Sequence, residues 1–236
     1  SVGISGEPIS VTIGAVSKPA DAAFSSTEHS QTWENLTLQE IAKTIAGRYG
    51  LVLVYEAEMV PILAKEQDKE TDSSFLKAIC EQYGLMLKIY NRKLVIYDRE
   101  AYKKKPPVFT IDRSQMGRDW SFELVLEGSY TGGRISYTDP KTEEDVVFSV
   151  GEQSRPLELN EKADNPADAE RILTARVANA NHGLQKLSFS VMGEPKLIGS
   201  QIIAITGFGS KIDGNYFSVV GLPIDKVYDI IKNFIV

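Results

Sequence analysis

The first half of the chain contains an internal repeat, which limits the possible folds more than any other feature of the sequence. One copy covers residues 37–55 and the other covers residues 72–90. Each copy has a helical pattern that ends in Tyr-Gly and is followed directly by an apolar, strand-like run. The matching positions are Ile45 with Ile79, Tyr49 with Tyr83, Gly50 with Gly84, Leu51 with Leu85, and Leu53 with Leu87. A repeated helix–strand unit predicts a compact α/β module.

Each predicted helix has one apolar face and a defined end. In the first copy the apolar residues recur at helical spacing, at Leu38, Ile41, Ala42, Ile45 and Tyr49. Thr37 followed by Glu40 has the spacing of a capping box, which favours a helix that begins after Thr37. Gly50 and Gly84 occupy the position where a helix commonly ends in a left-handed residue.

A third strand closes this module. Residues 93–97 are apolar and follow the second copy across Asn91-Arg92, a two-residue connection typical of a hairpin. Residues 33–98 are therefore predicted to form one α/β module. Before it, residues 8–20 alternate around three apolar positions and predict a strand, whereas residues 20–33 are polar and aperiodic and predict a loop.

After the module the pattern changes mainly to short strands. The run Lys103–Lys105, followed by two prolines, predicts a solvated linker. Asn165 as N-cap and Pro166 at the first helical position predict one helix at about 165–181. The tail 227–236 is apolar and fits either a helix or a strand. The predicted strands lie at 108–111, 120–126, 134–137, 145–150, 185–191, 201–206 and 216–220.

The composition excludes several classes of protein. With 42% hydrophobic residues and a net charge of −6, the chain lies outside the range of disordered proteins, and it lacks the basic character of a nucleic-acid binder. Its longest apolar runs, such as 51–55, are far shorter than the roughly 20 residues of a membrane span. The N-terminus lacks the basic and apolar regions of a signal peptide and has no initial Met, which predicts a processed or trimmed chain.

The residue types that carry out catalysis are sparse. The two histidines, His29 and His182, form no metal-ligand spacing. The single cysteine, Cys80, allows no internal disulfide, fits synthesis in a reducing compartment, and lies on the apolar helix face, which predicts a buried thiol.

Three further motifs are predicted to be turns or loops. Gly207-Phe208-Gly209 lacks the third glycine of a dinucleotide fingerprint. The acidic run Glu143–Asp145 has no aromatic lining of the kind a sugar site needs, and Asp213-Gly214-Asn215 lacks the other ligands of a calcium loop. The sequence therefore predicts no catalytic, cofactor-binding or metal-binding residues, no cofactor and no enzyme activity. It predicts a protein that acts by its shape.

The order of the segments is more specific than any one of them. In chain order the motifs are Thr32–Ala42, Gly50–Tyr55, Phe75–Leu85, Leu94–Asp98, Pro106–Val108, Ala167–Arg171 and Gly207–Phe217. This succession resembles the phage late control gene D family, the baseplate hub proteins of contractile phage tails and phage-like bacteriocins. The hub part of type VI secretion spikes is related to that family. The resemblance covers about residues 8–220.

The resemblance implies an α+β fold that is mainly β. A barrel-like (tube-type) architecture would carry an inserted α/β module of two helix–strand repeats. Residues 1–20 would belong to an incomplete first barrel, 21–102 would form the module, and 103–236 would form a second barrel with one helix. The family usually has a further N-terminal segment that completes the first barrel, and the end of this chain from Gly221 lacks the family's final strand pattern.

The resemblance also implies a structural role at the tip of a phage tail. Such a hub forms a homotrimeric ring that joins the tail tube to the central spike and meets the tape-measure protein. It would assemble in the bacterial cytoplasm and then reside in the virion tail or a phage-like particle. The ring contacts would lie on the strands after residue 107, including 120–126.

Two other classes of function remain open at this point. A helix–strand module of this size is compatible with a peptidoglycan-binding module of a phage-derived protein, although Tyr49 and Tyr83 are predicted to pack between helix and strand. A cell-wall hydrolase is disfavoured because paired catalytic acids and a metal-ligand set are missing from the pattern.

Overall fold

The computed structural model describes residues 2–6, 10–13, 23–125, 129–140, 142–182, 184–192, 197, 201–209 and 216–218. The strands are β1 Val2–Ser5, β2 Ser10–Ile13, β3 Glu28–Thr37, β4 Val52–Glu56, β5 Pro61–Thr71, β6 Leu85–Tyr90, β7 Lys93–Asp98, β8 Phe109–Asp112, β9 Ser121–Leu124, β10 Gly132–Thr138, β11 Asp145–Gly151, β12 Pro156–Asn160, β13 Gln185–Ser188, β14 Ile202–Thr206 and β15 Tyr216–Ser218. The helices are α1 Ala23–Ser26, α2 Leu38–Arg48, α3 Asp72–Gln82, α4 Arg99–Lys103 and α5 Pro166–Ala180, with a 3-10 turn at Arg113–Gln115. The fold is α+β, as predicted.

The chain forms two compact units, each assembled from separate segments. Unit 1 contains Ser1–Ser17, Ala101–Phe122 and Leu187–Val236, and unit 2 contains Lys18–Glu100 and Glu123–Lys186. The unit boundaries after residues 17 and 100 lie close to the predicted boundaries after 20 and 102. Residues 123–186 belong to the same unit as the α/β module, and the predicted domain boundaries stay predictions.

The repeated helix–strand pattern forms the centre of unit 2. Strands β4, β7 and β6 form one sheet in that order, with β4 parallel and β6 antiparallel to β7. The capping box of Thr37 and Glu40 is present, and Asn91 and Arg92 both have positive φ in the predicted hairpin turn. The apolar faces of α2 and α3 pack into one core with the inner faces of β7 and β6, and its fully buried members include Leu38, Ile41, Ile45, Leu76, Ile79, Leu94 and Ile96.

Strands β3 and β5 form a long two-stranded ribbon that the hydrophobic pattern does not reveal. Residues 28–33, predicted to be a loop, lie in β3, and β5 was not predicted at all. Both strands are mostly exposed, and the buried side chains are Trp33 on β3 and Ile62 and Gln67 on β5. The backbone hydrogen bonds between the two strands and a few buried side chains hold the ribbon together. Because neither strand has a continuous buried face, its sequence lacks the alternation of apolar and polar residues that marks such a strand.

Helix α5 packs on the second sheet of unit 2. This sheet has the order β11-β10-β12, antiparallel between β11 and β10 and parallel between β10 and β12. The predicted helix at about 165–181 is α5, with Asn165 as its N-cap and Pro166 at its start. The core beneath it contains Ile135, Tyr137, Ala163, Ala169, Ile172 and Leu173, with Tyr83 of the module packed against it.

Unit 1 contains two small strand sets and a 3-10 turn. Strands β1 and β2 form an antiparallel pair, and β14 lies between β15 and β8, parallel to β8. Strands β9 and β13, each of which crosses a boundary between the two units, pair with each other. The described sheets have two or three strands each, so barrel closure stays a prediction. The tail 227–236 and the turn Asp213-Gly214-Asn215 lie outside the described residues.

Candidate functional site

Among the described residues, a group of interacting polar side chains surrounds Asp72, the first residue of α3. Asp72 is fully buried, and it accepts hydrogen bonds from Arg48 Nη1 at 3.0 and 3.1 Å, from Tyr49 Oη at 2.8 Å and from Gln67 Nε2 at 2.9 Å. His29 Nε2 lies 3.3 Å from Tyr49 Oη and 3.7 Å from Asp72 Oδ2. This Asp72 network joins both strands of the ribbon to helices α2 and α3.

The Asp72 network stabilises the fold but leaves no carboxylate oxygen available for chemistry. Both oxygens of Asp72 accept hydrogen bonds from donors of the protein, and Arg48 neutralises the buried charge. Gln67 continues the network by accepting a hydrogen bond from Trp33 Nε1 at 3.3 Å. A general base or a metal ligand needs a lone pair that can reach a substrate or an ion. The arrangement therefore fits a structural clamp.

Asp72, Arg48 and Gln67 were not predicted as a group from the sequence. Arg48 and Asp72 lie on successive helices, 24 residues apart, and Gln67 lies on the unpredicted strand β5. The only available signal was an acidic residue at the start of the second helix pattern, where a carboxylate is favourable.

The residues considered as catalytic candidates occupy structural positions. Cys80 is buried in the module core as predicted, and burial raises the pKa of its thiol to about 12. Because the thiolate is the nucleophile, a thiol with this pKa stays protonated and inert near neutral pH. His29 lies on β3 beside the Asp72 network, where the sequence had predicted a loop. His182 is exposed just after the end of α5.

The acidic run and the glycine turn also have local structural roles. Glu143 has a φ of 57°, and its amide donates to the Asp139 carbonyl at 2.9 Å. Asp145 accepts a hydrogen bond from Thr138 Oγ1 at 2.9 Å across the β10–β11 pair. Gly207 and Gly209 both have positive φ in the predicted turn. Within the part of the chain that the structure describes, no group of three His, Cys, Asp or Glu side chains could hold a metal ion.

Tyr83 connects the module to α5. Its ring packs against the module core and also against the core beneath α5. Burial and the nearby Asp168 carboxylate, which its hydroxyl contacts, raise the pKa of Tyr83 far above its ordinary value. Asp168 itself is nearly buried and accepts a hydrogen bond from the Asp164 amide at 3.0 Å. Tyr49 packs edge-on against Phe24, with 5.2 Å between the ring centroids. Since Tyr83 packs against two cores, neither repeat tyrosine has a fully exposed ring.

Unit 1 carries a group of aromatic and basic side chains near its surface, here called the Arg113 cluster: Arg113, Trp120 and Phe208. The rings of Trp120 and Phe208 meet edge to face with centroids 4.8 Å apart. The exposed guanidinium of Arg113 lies 5.4 Å from the Trp120 centroid and 5.7 Å from the Phe208 centroid. Trp, Tyr and Arg are the side chains most enriched at energetically important positions of protein interfaces.

Few of the described residues are buried in the core beneath the Arg113 cluster. Only Ile111, Ile203 and Ile205 are buried among the described hydrophobic residues of this core, whereas Phe109, Met116, Phe122, Leu187, Phe189, Val191, Leu197 and Phe208 are partly exposed. Val108 is 62% exposed and Met192 is 92% exposed. Within the described residues, no helix is long and apolar enough to cross a membrane.

The fold is shared with structural proteins of phage tails. The 43 kDa tail protein of prophage MuSo2 from Shewanella oneidensis is 14% identical and superposes with a TM-score of 0.58, over 80% of this chain and 59% of that protein. A tail protein from Neisseria meningitidis MC58 is 18% identical with a TM-score of 0.58, over 78% of this chain and 61% of that protein. Prophage tail protein gp18 from Listeria monocytogenes EGD-e is 14% identical with a TM-score of 0.50, over 75% of this chain and 57% of that protein.

These similarities show that the chain has a phage-tail-protein fold. The chain spans about 60% of the length of the first two of these structures. No protein-family model matches the sequence, and no curated protein matches it.

Proposed function

We propose that this chain is a structural component of a contractile phage tail or phage-like particle, namely a baseplate hub of the late control gene D type. The observation that carries the proposal is the fold shared with prophage tail proteins over 75–80% of the chain. The ordered motifs of the sequence support the hub type. In this function the chain forms a trimeric ring that joins the tail tube to the central spike, contacts the tape-measure protein, and resides in the virion tail after assembly in the cytoplasm.

The Arg113 cluster and the half-exposed apolar side chains around it support ring formation by unit 1. A small core with many partly exposed apolar residues gains stability when a neighbouring subunit covers it. Arg113 and Trp120 would act as anchors of that contact. Trp120 also precedes β9, so the cluster includes the start of the segment 120–126 that the resemblance implies as a ring contact.

Light scattering of the purified chain over a range of concentrations tests ring formation. A mass about three times 26.1 kDa is expected. Arg113→Glu should shift the midpoint of association to at least tenfold higher concentration, because a central anchor contributes more than about 1.4 kcal/mol. Lys43→Glu, the same charge change on the exposed side of α2, is the matched control and should leave association unchanged. A monomer at every concentration would contradict ring formation by this chain.

Immunogold labelling of purified particles tests the position in the tail. Gold at the tip of the tail, at the end of the tube, is expected of a hub. Gold distributed along the tube, or an absence of the chain from washed particles, would contradict the hub assignment.

The proposal includes the absence of enzyme activity. Its support is that Asp72 and Cys80, the most deeply buried reactive groups of unit 2, are held in the core by hydrogen bonds or apolar packing. A zymogram on peptidoglycan should show no lysis band for the purified chain, and a clear band would overturn this part of the proposal.

Peptidoglycan binding is the alternative function. The structure places both repeat tyrosines in packing contacts, so an aromatic sugar-binding face on the module has no support from Tyr49 or Tyr83. A sedimentation assay with purified cell walls separates the two functions, since the hub proposal expects the chain to stay in the supernatant.

A further inference from the structure

Unit 2 has an open groove of about 400 Å³ beside helix α5. One wall is the exposed side of α5, including Glu170, Arg171 and Thr174. The other wall is formed by the turn between α3 and β6 and by the segments that follow β4 and β7. Strands β4 and β7 are parallel, so the groove lies beyond their carboxyl ends. In α/β sheets this edge is a frequent location of binding sites, and the volume lies within the usual range of ligand pockets.

The groove has walls that are fixed by direct contacts. Asn179 of α5 accepts a hydrogen bond from Arg99 Nη1 at 2.9 Å and donates one to the Glu81 carbonyl at 3.1 Å. Arg99 Nη2 also lies 2.7 Å from Met86 Sδ. The two walls are therefore tied together at one end of the groove, and a ligand would meet a site that is already formed. Preorganisation of this kind reduces the ordering cost of binding.

The lining combines an apolar floor with an acidic rim. The buried side chains of Val60, Leu85 and Ala175 contribute the apolar part. Four carboxylates and two guanidinium groups contribute the charge: Glu58, Asp98, Glu100 and Glu170 against Arg99 and Arg171. The formal sum of these six groups is −2.

The two exposed glutamates of the rim are suited to an incoming cation. Glu58 and Glu170 are both exposed, and neither makes an ion pair with another described residue. Complementary charge steers association and disfavours ligands of the wrong sign. An apolar floor with an acidic rim matches an extended polypeptide that places a small apolar side chain on Leu85 and a basic side chain beside the glutamates.

We propose that this groove binds an extended segment of a partner protein, with a lysine or arginine side chain at the rim and an apolar side chain on the floor. The proposal goes beyond the tail function, since a hub requires no peptide groove on this unit. The groove would recognise the partner by the pairing of one cation with one apolar side chain, and not by a large buried area.

The test begins with the full chain on an array of immobilised hexapeptide pools, in which each pool has one residue type fixed and the other positions randomised. Pools with fixed Lys or Arg should bind more strongly than pools with fixed Asp or Glu. A hexapeptide built from the preferred residues, labelled with fluorescein, then serves as the probe for fluorescence anisotropy. Equal binding by acidic and basic pools, or no binding by any pool, would overturn the proposal.

Variants then locate the binding. The double variant Glu58→Lys/Glu170→Lys should weaken binding of the probe about tenfold, since two favourable charge contacts become unfavourable. The matched control is Glu34→Lys/Glu152→Lys, which reverses two exposed glutamates of unit 2 outside the groove and should leave the affinity within twofold. Unchanged affinity in the groove double variant would contradict the proposal.

A neutral variant separates groove binding from general attraction to an acidic protein. Thr174 is exposed and lines the groove, so Thr174→Trp fills space without changing the charge or the core. Loss of probe binding by this variant, with an unchanged thermal unfolding midpoint, is expected. Normal binding of the probe by Thr174→Trp would show that the peptide proposal is wrong. The proposal is also wrong, and the site is a simple cation patch, if spermidine displaces the probe and the hexapeptide pools bind equally well with and without a fixed apolar residue.

Discussion

Gly84, in the turn after α3, lies against Ala175 of α5 so closely that a β-carbon at position 84 would stand 3.0 Å from the Ala175 Cβ. The equivalent position of the first repeat is different, because a β-carbon at Gly50 would meet nothing nearer than Arg92 Nη2 at 3.8 Å. Both glycines have a left-handed backbone, with φ of 69° and 60°. The two copies therefore share a backbone requirement, and only the second copy adds a packing requirement.

This difference gives a matched pair of substitutions. Gly50→Ala should lower the free energy of unfolding by about 1 kcal/mol, the cost of a left-handed alanine. Gly84→Ala should cost about 1 kcal/mol more, because α5 must shift to admit the methyl group. Urea unfolding of the two variants checks this. Equal losses would show that the close approach to Ala175 is relieved without cost.

Removal of Arg48 should destabilise unit 2 strongly. Arg48→Met leaves the Asp72 carboxylate buried without its cation, and the expected loss is about 3 kcal/mol. The double variant Arg48→Met/Asp72→Asn should recover part of this loss, since the uncompensated charge is then absent. Chemical denaturation of the single and double variants measures the coupling. Additive losses would contradict the clamp that the Asp72 network forms.

The hydroxyl of Tyr137 offers a substitution that should not destabilise the protein. It is buried beneath α5, and no described residue forms a hydrogen bond with it. Tyr137→Phe should therefore leave the unfolding free energy unchanged or raise it by about 1 kcal/mol. The control is Tyr49→Phe, which removes the 2.8 Å hydrogen bond to Asp72 and should lower stability by about 1–2 kcal/mol. A loss in Tyr137→Phe as large as that in Tyr49→Phe would contradict this assignment.

Stability should fall in alkaline solution partly because of Cys80. Burial raises the pKa of Cys80 from 9.0 to about 12 in the folded protein. Between pH 9 and about 12 the folded state retains a proton that the unfolded state releases. The contribution of the Cys80 thiol to the free energy of unfolding is therefore complete below pH 9. It is lost as the pH rises from 9 to about 12, by at most about 1.4 kcal/mol per pH unit. Cys80→Ala should show a shallower decline of unfolding free energy between pH 9 and 10. An identical slope would contradict the raised pKa.

The local signals of the sequence predicted those elements whose apolar faces are buried. The faces of α2 and α3, the capping box of Thr37, the Asn91-Arg92 turn and helix α5 all follow from spacing within a few residues. Each depends on interactions between near neighbours in the chain, which a pattern of residue types records directly.

The elements that the sequence did not predict depend on partners far along the chain. Strand β5 is polar and becomes a strand through its ladder with β3, where Trp33, 34 residues before Gln67, donates a hydrogen bond to it. The packing of residues 123–186 with the module depends on Gly84 and Tyr83 meeting α5. No short window of sequence contains both sides of such a contact. The Arg113 cluster was missed for the same reason, since Phe208 comes from a turn distant in sequence.

The segmented make-up of the two units sets an order for folding during synthesis. Unit 2 has all of its residues once position 186 has left the ribosome, whereas unit 1 needs the segment from Leu187 onward. Strand β8 pairs in parallel with β14, so it waits for a partner that emerges about 90 residues later. The nascent chain therefore carries all of unit 2 while β8 of unit 1 still lacks its partner β14, and the surface around Arg113 forms after unit 2. The proposed ring contact on that surface therefore requires Phe208 to have left the ribosome.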